Sequence, residues 1–120
     1  MYKVIIAGSR EFNDYQLLVS KLNKILVNHL PEVEIVSGTC RGADSLGEQY
    51  AIEYNLPIKQ FPADWNTHGK KAGYLRNLEM AEYADACVVF WDGESKGTKH
   101  MIDIATKKQL PLRVVKYNRP

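Results

Sequence analysis

The chain has 120 residues, the size of one compact domain spanning residues 1–120 that needs no disulfide or metal to hold a core. With 45 % hydrophobic and 25 % charged residues, its composition excludes disorder, collagen-like repeats and coiled coil. Sixteen basic and 14 acidic side chains leave a net charge of +2, which argues against a nucleic-acid partner held by charge alone. Lys3 to Gly8 opens the chain as a nearly continuous β-branched run, the pattern of a strand covered on both faces. Asn13 or Asp14 can cap a helix whose Tyr15, Leu18, Leu22, Ile25 and Leu26 share one face, and Pro31 marks its end. Val33 to Ser37 is a second strand. Ala43 to Tyr54 keeps the helical spacing through Leu46, Gly47, Tyr50 and Ala51 before Asn55-Leu56-Pro57 stops it. Ile58 to Phe61 is strand three, followed by a polar loop over Pro62 to Lys71. A third helix covers about Ala72 to Ala84, Cys87 to Trp91 is strand four, and Asp92 to Gly97 is loop. Thr98 caps a fourth helix to Gln109, with Met101, Ile102 and Ala105 inward, and Leu112 to Tyr117 is the last strand.

Five strands alternating with four helices predict an α/β, three-layer Rossmann-like fold with a five-stranded parallel sheet. Helices cover both faces. Placing the most apolar strand at the centre gives order 3-2-1-4-5, with 2-1-3-4-5 as the alternative. No apolar run reaches the ~18–20 residues of a membrane span, so no membrane partner is expected. The N-terminus runs almost directly into a strand, leaving no room for a signal peptide. Cys40 and Cys87 are too few for a disulfide scaffold, and neither they nor His29, His68 and His100 have metal-ligand spacing. A reducing cytoplasm is the expected location, and no cofactor or metal is assigned.

In open α/β sheets ligands bind beyond the carboxyl ends of the strands, where the winding reverses. The residues least suited to packing collect at those ends. Gly8-Ser9-Arg10 follows the first strand, and Ser37 to Asp44, with Gly38, Thr39, Cys40, Arg41 and Gly42, follows the second. Glycines between a strand and a helix let a ligand approach the backbone, and the helix start presents free N–H groups to an anion. Arg41 can add a bidentate grip. Asp92, Gly93, Gly97 and Thr98 repeat the arrangement after the fourth strand, so two nests of backbone amides are expected to converge on one anionic small molecule. Arg76 and Asn77, one turn into the third helix, can point to the same cleft, and Trp65 and Trp91 stand at strand ends where they can stack on a base or cap the core. Gly8-Ser9-Arg10 is not a dinucleotide fingerprint, and no GxxxxGK[ST] loop is present. Cys40 sits beside Arg41 ahead of a helix start, but no histidine is spaced to activate it, so no nucleophilic role is assigned.

Gly8-Ser9-Arg10, Ser37 to Asp44, Pro62-Ala63-Asp64-Trp65, Ala72-Gly73-Tyr74-Leu75-Arg76-Asn77 and Phe90 to Gly93 with Gly97-Thr98 resemble, in order, the YspA-like, YpsA-related branch of the SLOG superfamily. That superfamily is allied to the LOG phosphoribohydrolases and the DNA-processing protein A family. The resemblance implies a binder of a nucleotide or nucleotide-derived ligand, related to NAD or ADP-ribose, with a sensing or regulatory role. The binding set it implies is Gly8, Ser9, Arg10, Gly38, Thr39, Arg41, Gly42, Asp44, Arg76, Asp92, Gly93, Gly97 and Thr98. A second reading is an enzyme acting on a nucleoside or nucleotide N-glycosidic bond. LOG enzymes place a glutamate three positions after their Gly-Thr, where this chain has Met101, and a thioether can neither act as a base nor stabilise an oxocarbenium-like charge. Asp44, Asp64, Asp92 and Glu94 are the carboxylates that remain, and no catalytic residue is assigned. A third reading is single-stranded DNA binding along Lys70, Lys71, Arg76, Lys96 and Lys99, with Trp65 as stacking platform. Helix faces such as Lys107-Lys108 leave a homo-oligomer open as a partner.

Overall fold

The computed structural model describes residues 1–118. Its five strands are β1 (Tyr2–Gly8), β2 (Val33–Ser37), β3 (Ile58–Gln60), β4 (Ala86–Trp91) and β5 (Leu112–Lys116). They form one sheet, parallel throughout, in the order β3-β2-β1-β4-β5. This is the first of the two orders the sequence allows. Val4, Ile5 and Ile6 are all fully buried because β1 sits between β2 and β4 and is covered above and below. Strand alternation sends Val4 and Ile6 to one core and Ile5 and Ala7 to the other. Register runs from Tyr2 opposite Val33 on one side and from Val4 opposite Ala86 on the other.

Five helices flank the sheet: α1 (Tyr15–Ile25), α2 (Ala43–Glu53), α3 (Trp65–His68), α4 (Ala72–Tyr83) and α5 (Lys96–Lys107). Asp14 caps α1 by accepting the Leu17 N–H at 3.0 Å, and the helix buries Leu18 and Leu22 against the β1 face that carries Val4 and Ile6. Met80 of α4 and Met101, Ile104 and Ala105 of α5 fill the opposite core, with Ile102 at its edge. Among the described residues no helix is long and apolar enough to cross a membrane.

Two local expectations are corrected. The segment Pro62 to Lys71 is not simply loop: Asp64 accepts the Thr67 N–H at 3.1 Å and starts α3, and a turn of 3-10 helix over Gly69–Lys71 joins it to α4. Four residues are too few to display a 3.6-residue period, so this helix is invisible to pattern reading. Nor does Thr98 cap the last helix. Ser95 does, accepting the Thr98 N–H at 3.4 Å, because Asp92 Oδ1 first turns the chain by taking the N–H groups of Glu94 and Ser95, each at 2.9 Å. Thr98 instead lies inside the first turn, its hydroxyl donating to Ser95 Oγ at 3.0 Å.

Leu22 is fully buried in the α1 core. Leu22→Ala is expected to lower unfolding stability by about 2–5 kcal/mol, measured by urea denaturation with an unchanged slope.

Candidate functional site

The carboxyl ends of β1 and β4 are neighbours in the sheet, and connections leave them in opposite directions, which opens a crevice there. A cavity of about 470 Å³ occupies it. Close backbone approach builds its rear wall. A Cβ on Gly8 would stand 2.2 Å from the Phe90 carbonyl oxygen and 2.8 Å from Ala43 Cβ, so only glycine lets β1, β4 and the start of α2 meet. Ser9 ties the same three pieces. Its N–H donates to the Phe90 carbonyl at 3.0 Å, its hydroxyl accepts the Asp92 N–H at 3.3 Å, and its carbonyl accepts the Ala43 N–H at 3.3 Å. Gly42, at φ +82°, passes so close beneath that a Cβ would lie 2.4 Å from the Ser9 carbonyl oxygen.

Of the residues singled out in the sequence, Gly8, Ser9, Arg10, Asp44, Arg76, Asp92, Gly97 and Thr98 are brought together on the cavity wall. Gly38, Thr39, Arg41, Gly42 and Gly93 are not on it. Thr39 and Arg41 border a separate groove with Glu48 and Gln60. Arg41 reaches an exposed ion pair with Glu11 at 2.9 Å, and Gly93 faces the Lys116 side chain. The difference has a local cause. After β2 the amides turn inward onto side chains: the Thr39 N–H donates to Ser37 Oγ at 3.1 Å and the Cys40 N–H to Asp44 Oδ2 at 3.2 Å. The two expected amide nests are therefore unequal. The α5 start faces the cavity through Gly97, whose missing Cβ would meet nothing within 4 Å, whereas the α2 start contributes the Asp44 carboxyl.

Several wall residues lie outside the expected binding set: Asn77, Trp65, Lys70, Tyr74, Met80 and Cys40. Trp65, 51 % exposed, and Tyr74, 48 % exposed, present aromatic surface to the cavity. The capping aspartate ahead of Trp65 was the available signal for α3, which carries the first of them to the cavity. Cys40 Sγ lies 3.7 Å from Arg76 Nη1 and 4.0 Å from Arg10 Nη2, while His100 Nδ1 is taken by Asn77.

Two buried ionisable groups dominate the electrostatics. Arg76 is only 8 % exposed. Its Nη1 donates to the Gly38 carbonyl at 2.5 Å and its Nε to Asn77 Oδ1 at 3.0 Å. Asn77 Nδ2 in turn stands 3.1 Å from His100 Nδ1. Burial holds His100 below the usual histidine value against the opposing pull of Asp103, which favours the neutral ring whose Nδ1 accepts that bond. Among the described residues no carboxylate forms an ion pair with Arg76. Asp44, 5 % exposed, is likewise unpaired. Burial pushes its carboxyl up to about 6, with the Cys40 N–H, Arg76 and Arg10 pulling the other way and Glu48 adding to the rise.

That shift fixes a sign. Between the ordinary value of 3.8 and about 6 the folded protein holds a proton that the unfolded chain has released, so Asp44 lowers stability as pH rises through this window. Asp44→Asn keeps an acceptor for the Cys40 N–H without the charge. It is expected to be more stable than the parent at pH 7 by up to about 3 kcal/mol, with the difference vanishing below about pH 4, in urea unfolding across pH.

The family model described as YspA, cpYpsA-related SLOG family matches residues 2–68. The Gene 61 protein of Mycobacterium phage D29 is 36 % identical over 118 residues, covering 93 % of this chain and 94 % of that protein. No solved structure matches. A model that takes in more than half of the sequence, together with a relative aligned over nearly its whole length, shows that the chain belongs to the YspA, cpYpsA-related SLOG family.

Proposed function

We propose that the protein binds a nucleotide or nucleotide-derived ligand, related to NAD or ADP-ribose, in the cavity at the ends of β1 and β4, and serves as a cytoplasmic sensor or regulator. The observation behind this reading is the buried guanidinium of Arg76, held by Gly38 and Asn77 without a carboxylate ion pair among the described residues and with its Nη2 edge open on the cavity wall. A guanidinium positioned in advance by protein acceptors loses little freedom when it grips a phosphate. The start of α5 adds the positive end of a helix dipole, and Arg10 and Lys70 add cations. Trp65 and Tyr74 offer faces on which a base can stack. Family membership supports the same ligand class.

Titration with ADP-ribose, NAD and mononucleotides, read by calorimetry and Trp65 fluorescence, tests it. Saturable binding is expected for at least one of them. Arg76→Gln is expected to weaken it about 10–100-fold, the loss of one charge-assisted contact, while Arg41→Ala, which removes only the exposed pair with Glu11, leaves it within about twofold. No saturable binding across the panel would refute the reading.

One observation favours a second reading, cleavage of an N-glycosidic bond. Asp44 is a buried carboxyl whose raised value suits a general acid, and it shares the cavity with Asp92 and Glu94. Met101 also lines the cavity, at the position where the resembled hydrolases carry glutamate. Incubating the protein with nucleoside monophosphates and NAD, then separating products by chromatography, decides between them: binding without release of free base is the outcome expected here.

A further inference from the structure

Arg76 and Asp44 are neighbours that do not pair. A Cβ placed on Gly38 would stand 2.8 Å from both Arg76 Nη1 and Asp44 Oδ2, so both groups crowd the space a side chain at Gly38 would take. Nη1 and Nε of Arg76 are engaged by Gly38 and Asn77. Its Nη2 donates to no atom among the described residues, yet it is not sealed from solvent, and it lies beside Gly73 on the cavity wall. Asp44 Oδ2 accepts the Cys40 N–H, and no hydrogen bond reaches Oδ1 among the described residues. A buried cation with an open donor edge attracts an anion. An anion seated on that edge enters the cavity that the buried Asp44 carboxylate also lines, the two negative charges oppose each other, and a proton on the carboxyl removes the repulsion.

The groups around Asp44 single it out as the proton acceptor. Arg76 of α4 and Arg10 after β1 favour its charged form, and Glu48, on its own helix, opposes it. Glu48 is held by the Ser37 hydroxyl at 2.6 Å and by Gln60 at 3.1 Å. Burial pushes the thiol of Cys87, on β4, up to about 12, so it stays neutral. The Cys40 side chain is turned toward the two guanidinium groups.

We propose that the cavity takes an anionic group on Arg76 Nη2 together with one proton on Asp44, so that anion binding is proton-linked and strengthens as pH falls. The identity of the ligand as a nucleotide rests on the reading above; the coupling of anion to proton does not. The complex holds more protons than the free protein at pH values between the free Asp44 midpoint, about 6, and the higher midpoint of the complex. Affinity therefore falls by up to about tenfold per pH unit across that window and levels off below it.

Two probes on the full chain separate the claims: sulfate, which does not titrate near neutrality, at ionic strength held constant with chloride, and ADP-ribose. Carbon-13 NMR of the Asp44 carboxyl follows its titration with and without each probe, and calorimetry in buffers of different ionisation enthalpy counts protons taken up. Sulfate is expected to move the Asp44 midpoint upward in the parent, to leave it unmoved in Arg76→Gln and Arg76→Lys, and to bind Asp44→Asn with an affinity independent of pH between 6 and 8. No sulfate effect, a downward shift, or a shift that persists without Arg76 overturns the proposal. A downward shift is what would follow if Asp44 served as a charged acceptor for ligand hydroxyls. An upward shift with sulfate but no binding of ADP-ribose or other nucleotides would leave this proposal standing and remove the nucleotide reading. Binding of ADP-ribose without proton uptake would do the reverse.

Discussion

A guanidinium that is only 8 % exposed and has no carboxylate partner is an expensive feature in a domain of this size, because a charge withdrawn from water must be answered by good acceptors. The surroundings of Arg76 are arranged to supply them. The β2 loop turns so that the Gly38 carbonyl meets Nη1, and a side chain at Gly38 would strike both Arg76 and Asp44. Asn77, the next residue on α4, takes Nε, and its amide is oriented in turn by His100 of α5. The β2 loop and two helices thus converge on one cation at the edge of the cavity. A charge held so firmly yet left partly unsatisfied suits a site awaiting a ligand better than one serving the fold.

The same constraint explains why the loops around the crevice differ. At the start of α5 the capping contacts are made by Ser95, so Gly97 faces open space on the cavity side. At the start of α2 the positive φ of Gly42 and the close contact with Ser9 bring the chain in tightly, and Asp44 closes the loop by binding the Cys40 amide. One helix start offers the cavity backbone, the other a carboxyl. The cavity consequently holds both signs of charge side by side, with aromatic surface from Trp65 and Tyr74 at its edge.

Much of this was legible in the residues. The unbroken apolar run of β1 sets it at the sheet centre, the alternation of short runs with amphipathic stretches gives the parallel order, and the switch point then locates the crevice. The α1 cap, narrowed to Asn13 or Asp14 and taken by Asp14, and the Leu18–Leu22 face followed from local rules. What pattern could not reach was set by contacts between distant residues. Whether the amides after β2 stay open depends on Asp44 folding back on Cys40 and on Arg76 arriving from 38 residues away. Glycine and arginine content alone made Arg41 as attractive as Arg76, yet Arg41 ends in an exposed pair with Glu11 while Arg76 ends in the wall. Trp65 stood out as an aromatic residue able to stack on a base, but α3, which carries it to the cavity, is too short for periodicity to show. The choice between Ser95 and Thr98 as cap turned on the Asp92 turn upstream.

The central claim is that the open Nη2 edge of Arg76 is the anchor for an anionic group of a ligand. It is tested most directly by a crystal structure of the protein purified from its own host and soaked with ADP-ribose. The account predicts density for a phosphate or other anionic group within hydrogen-bond distance of Arg76 Nη2, with the rest of the molecule running past Gly97 toward Trp65. A ligand bound elsewhere on the surface, with Arg76 untouched, would contradict it.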